Sequence, residues 1–324
     1  GGNMKFQVII PLFILVIVLA SIMMVSNMFF VNKITQINIG VLPIEDSAPI
    51  IIAQNEKLFE QEGLNVNVTL FTSARDRDVA LESGKIQIAV SDPITSTIQF
   101  GQGLHIRIVS LLWGGHPDQS VFYILSPPNS TIKTLHEIKQ IGISKATIIE
   151  YVTYRLIQMA GYNPNNYEFV NIPSIPIRYQ LLMTGKIEAV TLPDPLASLA
   201  IMKGAHVLAS TKTYNKSITM SVLIANSDWL ANNRDTMIKF LRAVNRAIKL
   251  IISNSSRYND LIATFIKVPE ELRPYYRIGY WTELSVYPKD NFQDVLSWLL
   301  LKNYITKTIN YNNFVDTELV LSAR

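Results

Sequence analysis

The chain has 324 residues, 48% hydrophobic and 17% charged, which is enough for one large or two medium domains with their own cores. The formal net charge is only +4 and Lys and Arg are scattered, which excludes the basic patch of a nucleic-acid-binding protein. There is no cysteine, which excludes disulfides, thiolate metal sites, cysteine nucleophiles and a lipoprotein anchor, and the four histidines lack metal-ligand spacing. We predict neither a metal nor a cofactor.

The N-terminal region is distinct from the rest. Residues 8–31 are almost wholly apolar, and a helix of about 20 such residues spans a bilayer. The run is longer than the core of a signal peptide, about 7 to 15 residues, and no clear cleavage motif follows it. We therefore predict one N-terminal transmembrane helix within residues 1–35 that anchors a body facing the periplasm or cell surface. A cleaved secretory signal is the alternative.

From residue 36 onward, short β-rich runs alternate with amphipathic stretches, which is typical of βα units. In the first part, we predict strands at 37–42, 66–71, 86–90 and 106–112, and helices at 49–59, at 79–83 and from Pro93. The turn-rich run at 113–117 then predicts a crossing to a second lobe.

The same alternation continues after the crossing. We predict strands at 121–125, 141–144, near 169 and near 189, and helices at 135–139, at 148–159 and from Pro195. A strand at 217–225 returns the chain to the first lobe, and residues 227–324 are mainly helical. The predicted domains are lobe I at 36–115 and 218–324, which is discontinuous, and lobe II at 116–217.

An internal repeat links the two lobes. The run LESGKIQIAV at 81–90 and the run LMTGKIEAV at 182–190 each combine a helix end, a Gly-Lys-Ile turn and a strand, and each leads to an Asp-Pro pair. Gly84 and Gly185 predict left-handed helix ends, while Asp92 and Asp194 predict helix N-caps with proline at the first helical position. The repeat therefore predicts two lobes built on one plan.

The order and spacing of several stretches resemble the solute-binding proteins for nitrate, taurine, aliphatic sulfonates and thiamine-pyrimidine precursors. The stretches are 39–42, 52–64, 80–86, 132–139, 158–162, 181–190 and 311–316. The resemblance implies a two-lobe type II periplasmic binding protein fold, which is α/β with mixed, mainly parallel sheets flanked by helices. Gln87 and Glu188 depart from the family, in which many relatives carry Asp at these two places.

The resemblance also implies a function. The chain is expected to be the extracytoplasmic solute-binding component of an ABC importer that captures a small nitrate-, sulfonate-, taurine- or pyrimidine-like molecule in the interlobe cleft. The implied partners are this ligand, an ABC permease with its ATPase, and the membrane through the N-terminal helix, with the chain as a monomer.

Ligands of open α/β sheets bind beyond the carboxyl ends of the strands, where helix N-termini point. The resemblance places the cleft in such loops, where the candidate ligand contacts are Glu45, Asp46, Ser47, Thr72, Ser73, Arg75, Ser91, Asp92, Trp113, Ser144, Thr147 and Asp194. Helix capping is the alternative role for most of these acids and hydroxyls. Hinge packing is the alternative for Trp113, and a solvated charge pattern at 75–78 is the alternative for Arg75. Four carboxylates together predict an acidic cleft, which favours a neutral or amine-bearing ligand.

Two other classes of function remain as alternatives. The first is an enzyme of thiamine-pyrimidine or menaquinone biosynthesis on the same fold, although the spacing of residues indicates no nucleophile–base pair and the apolar segment argues against a cytoplasmic enzyme. The second is a ligand-sensing ectodomain, which is expected to continue into a second membrane span or a cytoplasmic module. We expect neither in this protein.

Overall fold

A computed structural model describes residues 35–114, 116, 121–213 and 217–324. The predicted membrane segment at 8–31 lies outside these residues. Within the described ranges, no helix is both long and apolar enough to cross a membrane.

The strands of the described chain form two five-stranded sheets, with orders β2-β1-β3-β10-β4 and β7-β6-β8-β5-β9. The strands are β1 (Thr35–Val41), β2 (Leu64–Leu70), β3 (Ile88–Ser91), β4 (Ile106–Trp113), β5 (Phe122–Ser126), β6 (Gln140–Ile143), β7 (Glu168–Asn171), β8 (Ala189–Pro193), β9 (His206–Ser210) and β10 (Ser221–Asn226). Central strands such as β3 and β8 are buried along their whole length, as expected for strands covered on both faces.

The two sheets share one plan. In the first, β1 and β3 are parallel and β10 runs antiparallel to both β3 and β4. In the second, β6 is parallel to β7 and β8, and β5 runs antiparallel to both β8 and β9. In each sheet, the fourth strand in this spatial order is therefore the first strand in sequence after the chain has crossed from the other sheet. The sheets are mixed, as predicted, while the predicted lobe boundaries stay a prediction.

Helices flank both sheets. They are α1 (Ala48–Asn55), α2 (Leu58–Gln61), α3 (Ala74–Glu82), α4 (Pro93–Gly101), α5 (Ile148–Met159), α6 (Ile175–Met183), α7 (Leu196–Met202), α8 (Ser227–Ala231), α9 (Arg234–Asn254), α10 (Asn259–Phe265), α11 (Lys289–Leu301), α12 (Tyr311–Phe314) and α13 (Leu319–Ser322). The 21-residue helix α9 buries apolar residues at helical spacing, including Met237, Phe240, Val244 and Ile251. They join the core that also contains α1 and β1.

The repeated glycines end their helices as predicted. Gly84 and Gly185 follow α3 and α6 with φ of +73° and +67°. A left-handed conformation at this position costs glycine no Cβ clash, so each helix can end and the chain can re-enter its sheet.

Four predicted elements are wrong in extent. The helix predicted at 79–83 begins earlier, at Ala74, because Ser73 caps it there. The helix predicted at 49–59 is split into α1 and α2, because Lys57 adopts a left-handed conformation with φ of 56°. The helix predicted at 135–139 is one 3-10 turn, Leu135–Glu137, because Ile138 is already extended. The strand predicted at 217–225 begins only at Ser221, where pairing with β4 begins.

Helices α5 and α11 join the second sheet to the C-terminal part of the chain. Trp298 is 2% exposed, and its ring meets those of Tyr151 and Tyr154 edge-on at centroid distances of 5.3 and 6.0 Å. Arg155 Nη2 donates to Asp294 Oδ1 at 2.8 Å on the same contact. The contact is therefore an apolar ring cluster bordered by an ion pair.

Candidate functional site

The strands of both sheets present polar side chains at one edge, where a cavity of about 210 Å³ lies between the sheets. From the first sheet, Glu45 follows β1 and Trp113 ends β4; from the second, Asp194 follows β8 and Lys212 follows β9. The described lining is completed by Ile44, Val121, Phe122, Pro193, Pro195, Ile266, Tyr276, Arg277 and Gly279. The sequence thus brings loops at strand ends from two distant regions to one cavity.

Glu45 is bound by the C-terminal segment across the cavity. The backbone N–H of Gly279 donates to Glu45 Oε1 at 2.5 Å, and the Tyr276 hydroxyl donates to Glu45 Oε2 at 3.1 Å. Burial raises the pKa of Glu45 to about 7, and the neighbouring charge of Asp194 acts in the same direction. Near neutral pH this carboxyl group is therefore poised between its charged and neutral forms.

Asp194 contributes the second carboxylate of this cavity. Its Oδ1 accepts hydrogen bonds from the backbone N–H and the hydroxyl of Ser198, at 3.0 and 2.6 Å. The prediction that Asp194 is the N-cap is wrong by one residue, because Pro195 occupies the cap position and α7 begins at Leu196. The side chain still binds a free N–H of the first turn. Burial raises the pKa of Asp194, and the charge of Lys212 partly opposes this.

A smaller adjoining cavity of about 50 Å³ contains Ser73, Asp92, Ser144 and Thr147 in its lining. Asp92 is the N-cap of α4, as predicted: its carboxylate accepts from the Thr95 N–H and the Thr95 hydroxyl, both at 2.8 Å. Burial raises the pKa of Asp92, and the backbone N–H of Ile148, at the start of α5, acts to lower it. Asp92 thus bridges helices that pack on different sheets.

Behind these cavities lies a buried charged cluster built around Arg77. The Arg77 guanidinium donates to Asp78 Oδ1 at 2.6 Å, to the Val90 carbonyl at 2.7 Å and to the Ser91 hydroxyl at 3.1 Å. Arg77 is 2% exposed, so the interpretation of 75–78 as a solvated charge pattern is wrong for this residue. Its charge offsets those of the surrounding acids, which would otherwise be buried without a counterion.

Asp46 belongs to the same interior. Its Oδ2 accepts from the Ser221 hydroxyl at 2.6 Å, while Oδ1 is buried without a hydrogen-bond partner. Burial raises the pKa of Asp46 to about 7; Ser221 and Arg77 act against this rise.

We expect the free energy of unfolding to fall as the pH rises from about 4 to about 7. The folded chain holds protons on Glu45 and Asp46 up to a pKa of about 7, above the ordinary values of 4.5 and 3.8, so it binds more protons than the unfolded chain over this interval. Each carboxyl contributes a slope of about 1.4 kcal/mol per pH unit at most. Urea unfolding at a series of pH values measures the slope. Asp46→Asn should flatten it, whereas stability that increases over this interval would contradict the prediction.

The remaining candidates lie apart from the cavity of about 210 Å³. Arg75 is exposed and lines an outer groove of about 490 Å³ together with Ser144 and Thr147. Ser47 and Ser91 are buried, and Thr72 is exposed and lines neither inner cavity. Among the described residues, no three His, Asp or Glu side chains are grouped to hold a metal ion. Ligand contact stays a prediction for every candidate.

Trp113 both packs and lines the cavity. Its ring stacks on Trp281 at 5.1 Å with an interplanar angle of 12°, and its Nε1 donates to the Tyr280 carbonyl at 3.1 Å. The side chain is only 8% exposed, so most of it holds the C-terminal segment against the end of β4.

Sequence reasoning missed the C-terminal wall of the cavity. Tyr276, Arg277 and Gly279 lie in an irregular segment between α10 and α11, within a region that was predicted as mainly helical. The available signal was the density of aromatic residues at 275–281 around Gly279. Lys212 was also missed, because nothing local distinguishes it from a surface lysine.

Known proteins are similar to this chain in sequence and in fold. The model of the family described as NMT1/THI5 like matches residues 44–257. A putative ABC transporter periplasmic binding protein of Brachyspira hyodysenteriae is 21% identical over 224 residues, a match that covers 64% of this chain and 63% of that protein, just under two thirds of its length.

Two solved structures give the fold. The ligand-binding component of an ABC-type import system from Staphylococcus aureus, with zinc bound, has a TM-score of 0.75 at 17% identity and covers 90% of this chain and 99% of its own. The periplasmic aliphatic sulphonate-binding protein SsuA of Escherichia coli has a TM-score of 0.72 at 18% identity, with coverage of 89% and 99%. The two mixed sheets therefore match the periplasmic binding protein fold, and, by the family model that covers residues 44–257, the chain belongs to the NMT1/THI5-like family.

Proposed function

We propose that the chain is the extracytoplasmic solute-binding component of an ABC importer. In this proposal, two type II lobes, 36–115 with 218–324 and 116–217, enclose one small molecule in the cavity of about 210 Å³ and deliver it to the permease. The apolar run at 8–31 serves as the membrane anchor. The relatives described above as binding proteins of ABC systems support this role.

One observation carries the proposal. The cavity is lined from both sheets, and its polar groups come from the ends of strands β1, β4, β8 and β9, the edge at which α/β sheets bind ligands. A solute that contacts both walls binds the closed arrangement more tightly than an open one, and this difference in affinity drives closure. An internal cavity shared by two sheets is what a capture-and-release protein requires.

We expect Asp92→Ala and Asp194→Ala to weaken solute binding by roughly tenfold or more, about 1.4 kcal/mol each. Asp194 lines the larger cavity and Asp92 the smaller one, so each substitution removes a polar contact with the solute as well as a helix cap. Loss of a cap alone costs about 1 kcal/mol of stability and leaves affinity unchanged. Calorimetry with the solute identified by mass spectrometry of the purified chain gives the affinity, and thermal melts give the stability.

Asn226→Ala is the matched control, because Asn226 caps α8 by accepting from the Trp229 N–H at 2.9 Å and lines neither inner cavity. This variant should melt earlier and bind normally. If both aspartate variants behave in the same way, their role is capping only.

Closure itself can be measured between labels at Ile252→Cys and Val207→Cys, two exposed positions in a chain that has no cysteine. A distance that does not shorten with bound solute would contradict the proposal.

A further inference from the structure

We infer that the cavity of about 210 Å³ binds its solute through a protonated amine held between Glu45 and Asp194, and not through a sulfonate or nitrate group. The inference rests on the proposed function and names the chemical class of the ligand. It separates this chain from the sulfonate-binding protein that shares its fold.

The charges around the cavity favour a cation. Glu45 and Asp194 approach it from opposite sheets, and Tyr276 lies close enough to interact with both carboxylates. The cations Lys212 and Arg277 are exposed, whereas Glu45 and Asp194 are partly buried; the charge of Lys212 also acts on Asp194. Arg277 Nη1 is already engaged by the Pro274 and Tyr276 carbonyls at 3.0 and 2.7 Å. The inner walls are therefore acidic, and a cation placed between them relieves the repulsion of the two carboxylates.

The N-terminus of α5, a twelve-residue helix, is a place where free backbone N–H groups can bind an anion. The chain's own carboxylates occupy that place. The Ile148 N–H interacts with Asp92, the Ala146 N–H donates to Glu150 Oε2 at 2.8 Å, and the Ile149 N–H donates to the Thr147 hydroxyl at 3.2 Å. These donors are therefore not available to an anionic ligand. Such a ligand would also lie beside two carboxylates, in a cavity of only about 50 Å³.

The inference predicts the sign of the pH dependence. In the solute-free chain, Glu45 titrates near pH 7, and a bound cation lowers this pKa, so binding releases a proton. Affinity for an amine should therefore rise as the pH increases through about 7 and then level off, whereas affinity for an anion should fall. The charged and titratable groups that face Glu45 are Asp194, Tyr276, Lys212 and Arg277. Farther along, the ring of His116 lies 4.8 Å from that of Tyr280.

The test compares Glu45→Gln with Glu62→Gln in the chain of residues 1–324, purified in detergent. The probes are the methyl- to butylammonium series, ethanesulfonate and nitrate, titrated by calorimetry at pH 6 and pH 8. We expect the parent to bind an alkylammonium ion more tightly at pH 8, and Glu45→Gln to weaken that binding by roughly tenfold or more. Glu62→Gln is the matched control, because Glu62 is also partly buried but pairs with Arg242 at 2.9 Å and does not line the cavity, so affinity should stay within about twofold.

The outcomes separate this inference from the function on which it rests. Binding of ethanesulfonate or nitrate with closure of the labelled lobes overturns the amine inference and leaves the proposed function intact. Absence of alkylammonium binding, or binding that Glu45→Gln and Glu62→Gln weaken equally, also overturns the inference. If no probe binds and the chain also retains no solute on purification, the proposed function fails with it.

Discussion

Trp298→Ala is expected to lower the free energy of unfolding by about 3–5 kcal/mol, because it removes a large buried ring and leaves a cavity. Trp298 packs edge-on against Tyr151 and Tyr154 of α5 and lies 5.9 Å from the ring of Tyr304. The loss falls on the contact that joins the second sheet to the C-terminal helices. Chemical denaturation at constant pH measures it.

Trp298→Phe is the control. The indole Nε1 of Trp298 is buried and has no hydrogen-bond partner, so phenylalanine removes an unsatisfied donor while keeping an aromatic ring in the cluster. Its cost should be clearly smaller than that of alanine. Equal losses in the two variants would show that the cluster does not depend on ring packing.

The second large effect is expected at Arg77. Arg77→Met leaves Asp78 and Asp92 buried without their cation, and the loss of one partner of a buried ion pair costs about 3–5 kcal/mol. The loss should be greater at pH 8 than at pH 5, because protonation of the raised-pKa carboxyls at low pH removes the uncompensated charge. Urea unfolding at both pH values measures the difference.

Arg178→Met is the matched variant, since the internal repeat places the two arginines equivalently. Arg77 and Arg178 each lie seven residues before the repeated glycine, and they donate to the carbonyls of Val90 and Thr191, six residues after it. Arg178 is fully buried with carbonyl partners only, and burial lowers its pKa to about 9. Its loss should be nearly the same at pH 5 and pH 8. A strong pH dependence at Arg178, or none at Arg77, would contradict this account.

Local patterns predicted most of the regular structure. The helix predicted at 148–159 matches α5 residue for residue, because its apolar periodicity is regular and a threonine cap precedes it. The strands that follow Gly84 and Gly185 were also predicted, because the left-handed backbone conformation at these two helix ends favours glycine. The break at Lys57 was missed because lysine gives no sign of a left-handed residue.

The site was harder to predict, because it depends on contacts between residues far apart in sequence. The hydrogen bonds of the Glu45 carboxylate come from Tyr276 and Gly279, which lie more than 200 positions away in the sequence, and no local pattern links these residues. The burial of Arg77 has the same origin: alternating charges indicate a solvated helix face until the strands that cover that face are known. The repeat held an unused signal, since Arg77 and Arg178 stand at the same distance from their glycines.

The position of β10 has a consequence for the order in which the chain folds. The second sheet uses strands between Phe122 and Ser210, so it can be completed as soon as that continuous stretch is available. The first sheet begins at Thr35 but lacks its fourth strand until Ser221–Asn226 arrives between β3 and β4. In a chain that is synthesised from its N-terminus, β3 and β4 each have an unpaired edge until β10 is made, and the second sheet can form during this time. Unpaired edges pair readily with other chains, so this waiting period is the stage of synthesis most exposed to aggregation.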